Sequence, residues 1–574
     1  MGMRSTLWPI RRDAIPDDLI AGLVVGIMLV PQAIAYAYLA GLPPEAGIYS
    51  SLFPLLAYAL LGTSPTLAVG PVAIISLMTL STLQAIPGIT PEQFGDHAIL
   101  LAAMTGLWLW LFCAIGLGTW ASFISHSVVS GFTSAAALVI ILSQLKSLTG
   151  VAIPRDGPVW TPVQHLLMHG DQIDLFTLTA GLIGLFLLIF WQRGLSSFIG
   201  HTALPERLKT LIRSSGPLVL ISSGILLAWI APGNMATVGA ISAPWPSLSL
   251  PDVPTMQWQA LLLPSAILAL IIFLESLSIA NAMARSRHQR PAKANQELLA
   301  LGGANLFSAL SHGMPVAGGF GRSMVMMSSN ARSQWATVVA VLVVALLTHL
   351  GSRTFDYLPE AALGALIIGA TWPLFRWQDG WRAWQFQRSD GLVWLTTFVL
   401  VLGIDAINGI LAGVIVSLIM YLRRTSQPHI AEVGRLANSQ EQFRIVLRHD
   451  TRTVPGVMLI RVDENLYFAN GDYLIGFVLK RLSQQPDVHD VVLIGSAINH
   501  IDFCGLEALE HLQQQLADDG KTLHLADFKG PVMDQLKHTE FLQSLRPGQV
   551  FFTTAEALSV LSHPRHLDDD FYVI

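Results

Sequence analysis

One stretch of the chain decides its fold: it reads Pro315-Val316-Ala317-Gly318-Gly319-Phe320-Gly321-Arg322-Ser323. The stretch lies within apolar sequence, and the helix-forming residues Met324–Ser329 follow it. Pro cannot continue a helix, and Gly adopts turn conformations that other residues avoid. The pattern therefore predicts a short extended segment that leads into half of a helix.

A second break of the same kind reads Thr66-Leu67-Ala68-Val69-Gly70-Pro71, and the helix-forming residues Val72–Leu83 follow it. Pro71 suits the first position of a helix, and Gly70 permits a tight turn before it. The two breaks fall on the third and the tenth apolar segments, which are equivalent positions in two repeats of seven helices. Broken helices at matching positions of inverted repeats indicate a binding site near the middle of a membrane. The alternative is that each break only kinks an ordinary helix.

The composition is that of a membrane protein. Only 12% of the 574 residues are charged, whereas soluble domains carry about 25%. Stretches without Asp, Glu, Lys or Arg, such as Leu19–Pro44, Ala46–Pro91 and His97–Leu145, exceed the roughly 20 residues that span a bilayer. Cut at their Gly and Pro residues, such stretches predict a polytopic α-helical membrane protein of about 14 spans in a seven-plus-seven inverted repeat.

Basic residues predict the orientation of these spans. With fourteen spans, the N-terminal Arg4, Arg11 and Arg12 lie on the same side as four basic connections. Those connections hold Arg193–Arg213, Arg285–Lys293, Arg376–Arg388 and Arg423–Arg424. Because Lys and Arg are enriched in cytosolic connections, we expect a multi-pass protein of the cell (inner) membrane with both termini in the cytosol.

The composition changes near Arg423, after which the chain is charged and reads as soluble. Apolar runs that suit strands alternate there with helical runs, which predicts an α/β domain. The strands are Val457–Val462, Val491–Gly495 and Thr522–Ala526, and the helices are Tyr473–Arg481 and Leu506–Leu516. The predicted domains are a cytosolic segment (1–17), a transmembrane domain with core and gate parts (18–424), and a cytosolic domain with its linker and tail (425–574).

The two half-helices predict an anion site. A helix N-terminus presents free N–H groups and the positive end of the helix dipole. If the two N-termini face each other, they form one cradle. Its predicted lining comes from both breaks and consists of Val69, Gly70, Pro71, Val72, Phe320, Gly321, Arg322 and Ser323.

Two charged residues, Glu275 and Arg322, lie deep in membrane sequence. Intramembrane charges cost several kcal/mol and usually face a cavity or a partner. Arg322 is therefore a candidate anion ligand, and the alternative is a structural pair with Glu275. Gln32 and Tyr36, one turn apart in the first span, add polar groups on a single face.

An enzyme is not expected, because no convergent nucleophile, base or metal residues are found. His165 and His169 have the spacing of a zinc pair, but no third ligand is evident, so no metal is predicted. The sequence contains no G-x-x-x-x-G-K-[ST] motif, and no cofactor is expected. A formal net charge of −5 without a basic face argues against nucleic acid as a partner.

The motifs resemble those of the sulfate permease (SulP) family of anion transporters, which is related to animal solute-carrier exchangers such as prestin. The similar segments are Pro31-Gln32-Ala33-Ile34-Ala35-Tyr36-Ala37, Leu274-Glu275-Ser276, Asn295-Gln296-Glu297-Leu298 with Ala304-Asn305, and Phe320-Gly321-Arg322-Ser323. The resemblance implies a core domain that moves against a gate domain. It also implies an anion held between the third and tenth helices, beside residues of the first and eighth. Many relatives have Ser where this chain has Gly321.

The soluble part resembles the STAS domain in two segments. They are Asp463-Glu464-Asn465-Leu466-Tyr467-Phe468-Ala469 and Asn499-His500-Ile501-Asp502-Phe503-Cys504-Gly505-Leu506. Soluble relatives carry a phosphorylatable residue where this chain has Cys504, so the resemblance implies a regulatory or assembly role for this loop. Asp502 is also expected to cap the helix that follows.

The leading hypothesis is secondary active transport of an inorganic anion, with sulfate favoured by the resemblance. Coupling is expected to come from a proton, Na⁺ or counter-anion gradient, and Glu275 is the candidate proton carrier because burial favours a neutral carboxyl. The alternatives are Na⁺-coupled bicarbonate transport, C4-dicarboxylate transport, and an anion sensor that signals through the STAS domain. Membrane lipid is an expected partner, relatives suggest a homodimer, and the STAS domain is expected to have a cytosolic partner.

Overall fold

The computed structural model describes residues 14–119, 125–153, 159–195, 209, 212, 215–238, 245–249, 257–351, 355–437, 439 and 441–562. The N-terminal arginines and most of the basic segment 193–213 lie outside these residues. The chain divides into two compact units, Met1–Ser417 and Leu418–Ile574. Each unit contains its own buried hydrophobic cluster.

The first unit is helical. The helices that correspond to the first seven predicted spans are α1 (Ile15–Leu39), α2 (Pro44–Tyr49) with α3 (Phe53–Leu61), α4 (Ala73–Gln84), α5 (Phe94–Ala114), α6 (His126–Ser143) continued by α7 (Leu145–Thr149), α9 (Leu175–Ile189) and α10 (Gly216–Ile230). A short helix, α8 (Thr161–Met168), lies between α7 and α9.

The helices that correspond to the other seven are α11 (Trp258–Ser286), α12 (Ala294–Leu310), α13 (Phe320–Ser328), α14 (Trp335–Gly351), α15 (Glu360–Thr371), α17 (Arg388–Gly403) and α18 (Ala406–Ser426). Another short helix, α16 (Trp377–Phe386), precedes α17. Among the described residues, five helices are long and apolar enough to cross a membrane unaided: Ile15–Leu39, Pro91–Ala114, His126–Thr149, Trp258–Ser286 and Ala406–Ser426.

Helix packing repeats with an offset of seven spans. The first span, α1, packs against α14, and its equivalent α11 packs against α5, which is the equivalent of α14. In the same way α6 packs against α17, and α9 packs against α15. These matched pairs are what two inverted repeats of seven spans require. All four pairs belong to the same compact unit.

Each half-helix follows a very short strand, and the two strands pair with each other. β1 (Val69–Gly70) precedes α4, and β2 (Ala317–Gly318) precedes α13. They pair antiparallel with Val69 opposite Gly318 and Gly70 opposite Ala317. An antiparallel pair has local two-fold symmetry, so it places the N-termini of α4 and α13 on either side of one point.

The second unit is a seven-stranded sheet with helices. Its strands are β3 (Ile430–Leu436), β4 (Phe443–Ile445), β5 (Thr451–Arg452), β6 (Val457–Val462), β7 (Asp490–Ile494), β8 (Thr522–Ala526) and β9 (Val550–Phe551). The order is β4-β3-β6-β7-β8-β9, with β5 beside β3. Neighbours from β6 to β9 are parallel, whereas β3 pairs antiparallel with β6. The sequence predicted β6, β7 and β8 but missed β3 and the very short strands β4, β5 and β9.

Helices pack on both faces of this sheet. They are α19 (Gly471–Leu482), α20 (Phe503–Asp518), α21 (Gly530–Lys537), α22 (Phe541–Ser544) and α23 (Thr554–Leu561). Alternate residues of β6 separate the faces, since Met458 and Ile460 join the cluster that contains α19 and α20 residues. Val457 and Leu459 join the cluster that contains α23 residues. The α/β architecture predicted from the sequence is therefore the observed one.

Candidate functional site

The facing half-helices begin without side-chain caps. The N-cap residues are Val72 for α4 and Gly319 for α13, and neither N-cap side chain accepts a hydrogen bond. The first helical bonds run from Ser76 N to Val72 O, 3.0 Å, and from Ser323 N to Gly319 O, 2.9 Å. The N–H groups ahead of these bonds have no acceptor within their helix, and such groups are donors for an anion.

The helix boundaries correct two details of the sequence analysis. Pro71 does not occupy the first helical position, because α4 begins at Ala73 and Val72 is its extended N-cap. The second half-helix begins at Phe320 rather than at Met324. Residues 320–323 therefore form the first turn of α13. The extended segment that leads into this helix ends at Gly319.

Arg322 is buried beside this pair with two donors unsatisfied. Its side chain lies in the first turn of α13, and the residue is only 3% exposed. Nη1 lies 3.4 Å from Gln32 Oε1, a long hydrogen bond. Nε and Nη2 have no hydrogen-bond partner among the described residues. Because an uncompensated buried cation is costly, these two groups favour an anionic ligand.

Two glycines make room for this guanidinium. Gly70 has a φ of +152°, and a Cβ atom added there would lie 3.3 Å from Arg322 Nη2. A Cβ atom on Gly319 would lie 2.8 Å from the same nitrogen. The guanidinium therefore lies against the backbone of both breaks, where a larger residue would displace it.

Glu275 is not the partner of Arg322. It lies in α11 and is half-buried, and its Oε2 has no hydrogen-bond partner among the residues that the structure describes. Nη1 of Arg322 bonds Gln32, and its Nε and Nη2 bond no described residue. Arg322 and Glu275 are therefore not joined by a hydrogen bond. The alternative of a structural ion pair is therefore wrong for this conformation.

The first helix supplies the polar face that its spacing predicted. Gln32 and Tyr36 are 8% and 7% exposed and lie one turn apart on α1. Oε1 of Gln32 accepts the 3.4 Å hydrogen bond from Arg322 Nη1. The structure thus brings together residues from α1, β1 and α13, which lie far apart in the sequence.

The front of α13 opens into free space. Phe320 and Gly321 are exposed, and a Cβ atom added to Gly321 would meet no atom within 4 Å. A serine at this position would fit without displacing a neighbour. Ser323 differs, because it is fully buried and its Oγ accepts a hydrogen bond from Ala68 N, 3.0 Å.

Sequence reasoning missed the side chains that hold the strand pair. Ser276 Oγ accepts a hydrogen bond from Gly318 N at 2.9 Å and thereby ties α11 to β2. Gln334 Nε2 donates to Ser64 O at 2.6 Å and to Leu67 O at 3.2 Å. The sequence offered one indication that Ser276 has a structural role, because it is a polar residue directly after Glu275 in apolar sequence.

Two residues of the family-like segment 295–305 position backbone rather than line the site. Glu297 is fully buried and accepts hydrogen bonds from Tyr58 Oη at 2.8 Å and from Thr63 N at 3.0 Å. Asn305 bonds both the N–H and the C=O of Val316, at 2.9 and 3.0 Å. The first pair of bonds joins α12 to α3, and the second holds the chain just before β2.

The STAS-like loop is organised by Asp502. Its Oδ1 accepts a hydrogen bond from Gly505 N, 2.7 Å, which caps α20, and its Oδ2 accepts one from Phe468 N, 3.0 Å. Cys504 is exposed in the first turn of that helix. Nearby, burial raises the pKa of Asp463, but hydrogen bonds from Arg461 and His429 outweigh burial and hold the pKa below its ordinary value.

The histidine pair has no metal-site geometry. The rings of His165 and His169 stack with centroids 4.2 Å apart. Within the described residues no group of three His, Cys, Asp or Glu side chains is placed to hold a metal ion.

Comparisons with known proteins agree with this architecture. The model of the sulfate permease family matches residues 15–397, and that of the STAS domain matches residues 448–557. The chain is 33% identical to sulfate transporter 4.1, chloroplastic, of Arabidopsis thaliana, over 87% of this chain and 73% of that protein. It is 30% identical to a probable sulfate transporter of Mycobacterium tuberculosis, over 94% of both chains.

Solved structures show the same fold. Murine solute carrier 26 family member A9, an anion transporter in its inward-facing state, matches with a TM-score of 0.87 and 23% identity, over 97% of this chain and 94% of that one. The transmembrane domain of the cyanobacterial bicarbonate transporter BicA matches with a TM-score of 0.59 and 19% identity, over 71% of this chain and 98% of that one. The resemblance and the fold class predicted from the sequence are thereby confirmed. The chain belongs to the sulfate permease family, a family of transporters and not of enzymes, and it carries a STAS domain after its membrane part.

Proposed function

We propose that this protein is a secondary active transporter that carries sulfate across the cell membrane by alternating access. The observation that carries the proposal is Arg322, a buried guanidinium with two unsatisfied donors beside two uncapped helix N-termini. This arrangement suits a small tetrahedral dianion, which accepts several hydrogen bonds at once. The names of the relatives from Arabidopsis thaliana and Mycobacterium tuberculosis favour sulfate over other anions.

The proposed site comprises the eight residues of the two breaks together with Gln32, Tyr36 and Glu275. The anion accepts hydrogen bonds from N–H groups of α4 and α13 and from Arg322. The bundle that contains α1, α4, α5, α11, α13 and α14 then moves as a core against a gate built on α6, α9, α15 and α17. Movement of the core past the gate exposes the bound anion to one side of the membrane and then to the other.

Coupling is proposed to pass through Glu275 or a counter-anion. Oε2 of Glu275 is buried without a hydrogen-bond partner. Burying an unpaired charge costs free energy, and protonation of the carboxylate removes that charge. A neutral Glu275 also removes a negative charge from the neighbourhood of an entering anion. A counter-anion would instead occupy the same cradle on the return step and would need no proton.

The proposal includes the arrangement around the site. Residues 1–17 form a cytosolic segment, residues 18–424 the transmembrane domain of an inner-membrane protein, and residues 425–574 a cytosolic STAS domain with linker and tail. The functional unit is a homodimer, and the loop with Asp502 and Cys504 receives a cytosolic partner. Transport requires no cofactor.

Flux of labelled sulfate in proteoliposomes tests the proposal. We expect saturable uptake that unlabelled sulfate inhibits and that requires an imposed proton or counter-anion gradient. Inhibition by bicarbonate or succinate at lower concentrations than sulfate would instead identify a bicarbonate or C4-dicarboxylate transporter. Sulfate binding to the folded protein without any flux would indicate a sensor and contradict transport.

A further inference from the structure

The short helix α16, between α15 and α17, is held by its contacts in one orientation about its own axis. This helix packs on α6 and α17. Gly380 is buried against Trp394, because a Cβ atom on Gly380 would lie 2.5 Å from that indole ring. Ser130 Oγ donates to Asp379 Oδ2 at 3.4 Å and accepts from Trp394 Nε1 at 3.3 Å. The face of α16 that carries Asp379 and Gly380 therefore packs against α6 and α17.

The outer face carries a stripe of tryptophans. Trp377 and Trp381 are both 57% exposed, and Trp384, 38% exposed, extends the stripe while part of it lies against Gly391 of α17. Side chains at i, i+4 and i+7 share one face of a helix. Tryptophan is enriched where a bilayer meets water, and an amphipathic helix with such a face lies in the plane of that interface.

Three arginines lie in α16 or directly beside its ends. Arg376 is its N-cap, Arg382 lies within it, and Arg388 begins the next helix. All three are exposed, and in the part of the chain that the structure describes none has an acidic partner. Arg382 projects about 100° away from Trp381, so the apolar and basic sides of α16 are distinct.

The equivalent helix of the first repeat provides a contrast. α8 also exposes apolar side chains, with Leu167 82% and Met168 77% exposed, but residues 159–172 contain no Lys or Arg. Inverted repeats place these two connections on opposite sides of the membrane. Anionic lipids are concentrated in the cytosolic leaflet. Of these two helices, only α16 carries basic residues, and α16 is the one predicted to face the cytosolic leaflet.

We propose that α16 docks on the cytosolic leaflet and binds the headgroups of anionic phospholipids. The tryptophan stripe inserts at the level of the glycerol backbone, and Arg376, Arg382 and Arg388 bind the phosphate groups with charge-assisted hydrogen bonds. Because α16 packs against α6 and α17, lipid binding holds these helices at a fixed depth. The inference rests on the proposed cytosolic orientation and is independent of which anion is carried.

Lipid binding to the full chain in detergent, measured by native mass spectrometry, tests this proposal. We expect phosphatidylglycerol to bind more tightly than phosphatidylcholine. The triple variant Arg376→Gln/Arg382→Gln/Arg388→Gln should lose this preference, by about fivefold in affinity for each arginine. The matched control Arg444→Gln/Arg448→Gln/Arg452→Gln removes the same charge from exposed positions of the soluble unit and should keep the preference.

Two further arms make the result decisive. Soluble glycerol phosphate should not displace phosphatidylglycerol, because it lacks the chains that the tryptophans contact; displacement would indicate a phosphate site and contradict docking on lipid. If the triple variant unfolds early in a thermal melt, the single variant Arg382→Gln replaces it. Equal phosphatidylglycerol affinity in wild type and a folded α16 variant would overturn the proposal, whereas loss of sulfate flux with intact lipid preference would bear only on the proposed transport.

Discussion

The two half-helices have the same backbone design but different chemistry. α4 and α13 both leave a two-residue strand of one antiparallel pair, and both start without a side-chain cap. The first turn of α4 is buried and carries no charged residue, whereas that of α13 contains the buried Arg322. The repeat thus duplicates the N–H donors, but the cation is present in the second repeat only.

This difference separates two contributions to the proposed site. Backbone donors are set by the fold and cannot be removed without disturbing the strands. The guanidinium is one side chain, and it can be removed while both helices stay in place. Substitutions in the two half-helices therefore measure how much of the anion affinity comes from each source.

The largest effect is expected from Arg322→Gln. Two charge-assisted hydrogen bonds would be lost, each worth about 1.5–3 kcal/mol, so the apparent KM for sulfate should rise by at least about 100-fold. Uptake in proteoliposomes measures this, with Arg448→Gln in the soluble unit as a control of equal charge. Because Glu275 does not pair with Arg322, the double variant Arg322→Gln/Glu275→Gln should show no rescue. Full recovery of uptake in the double variant would restore the ion-pair interpretation.

Gly321→Trp should block the cradle without unfolding the protein. No atom lies within 4 Å of an added Cβ atom at this position, so the indole has room and fills the space in front of α13. We expect sulfate affinity to fall by at least about tenfold, with an unchanged thermal midpoint. Gly321→Ser is the control and should bind sulfate as well as wild type or better. Unchanged affinity in a well-folded Gly321→Trp variant would place the site elsewhere.

Gly70→Ala should be harmful where Gly321→Ala is harmless. Gly70 has a φ of +152°, and an added Cβ atom would lie 3.3 Å from Arg322 Nη2. We expect a loss of roughly 1–3 kcal/mol in stability from backbone strain, with weaker sulfate binding because the guanidinium shifts. Thermal unfolding and sulfate binding measured on both variants give the comparison. Equal behaviour of the two alanine variants would contradict the proposed close approach at Gly70.

Glu275→Gln tests whether the acid beside the cradle carries the proton. If it does, wild-type uptake should increase as external pH falls, by up to about tenfold per unit for a single proton. The glutamine variant should lose this dependence but retain sulfate exchange, because exchange moves no net proton. A glutamine variant that keeps the wild-type pH profile and still concentrates sulfate would assign coupling to another group or to exchange.

The smallest effect is expected from the two serines behind the strand pair. Ser323→Ala removes the acceptor for Ala68 N, and Ser276→Ala removes that for Gly318 N. Each change leaves a buried N–H group unpaired and should cost about 1–3 kcal/mol of stability, with only a modest change in sulfate KM. A Ser323→Ala variant of normal stability that has lost sulfate binding would instead make this hydroxyl a direct ligand.

The sequence by itself determined the class of protein and the location of its breaks. Spans without charge, Gly and Pro at matching positions, and family-like segments are local patterns, and each is readable without knowing what packs against it. The same holds for Asp502 as a helix cap, because capping involves residues three positions apart. The fold class and the family were predictable for this reason.

Only the tertiary structure decided which side chains meet. Gln32 and Arg322 are 290 positions apart, and no periodicity relates them, so the sequence could equally suggest Glu275 as the partner. The same limit hid Ser276 and Gln334, whose partners are backbone atoms of distant segments. The start of α4 at Ala73 rather than Pro71 also follows from pairing, because Val69 and Gly70 are held extended by a strand that lies in the other repeat. Contacts across repeats are set by how the helices pack, and helix packing depends on the whole buried surface rather than on any one segment.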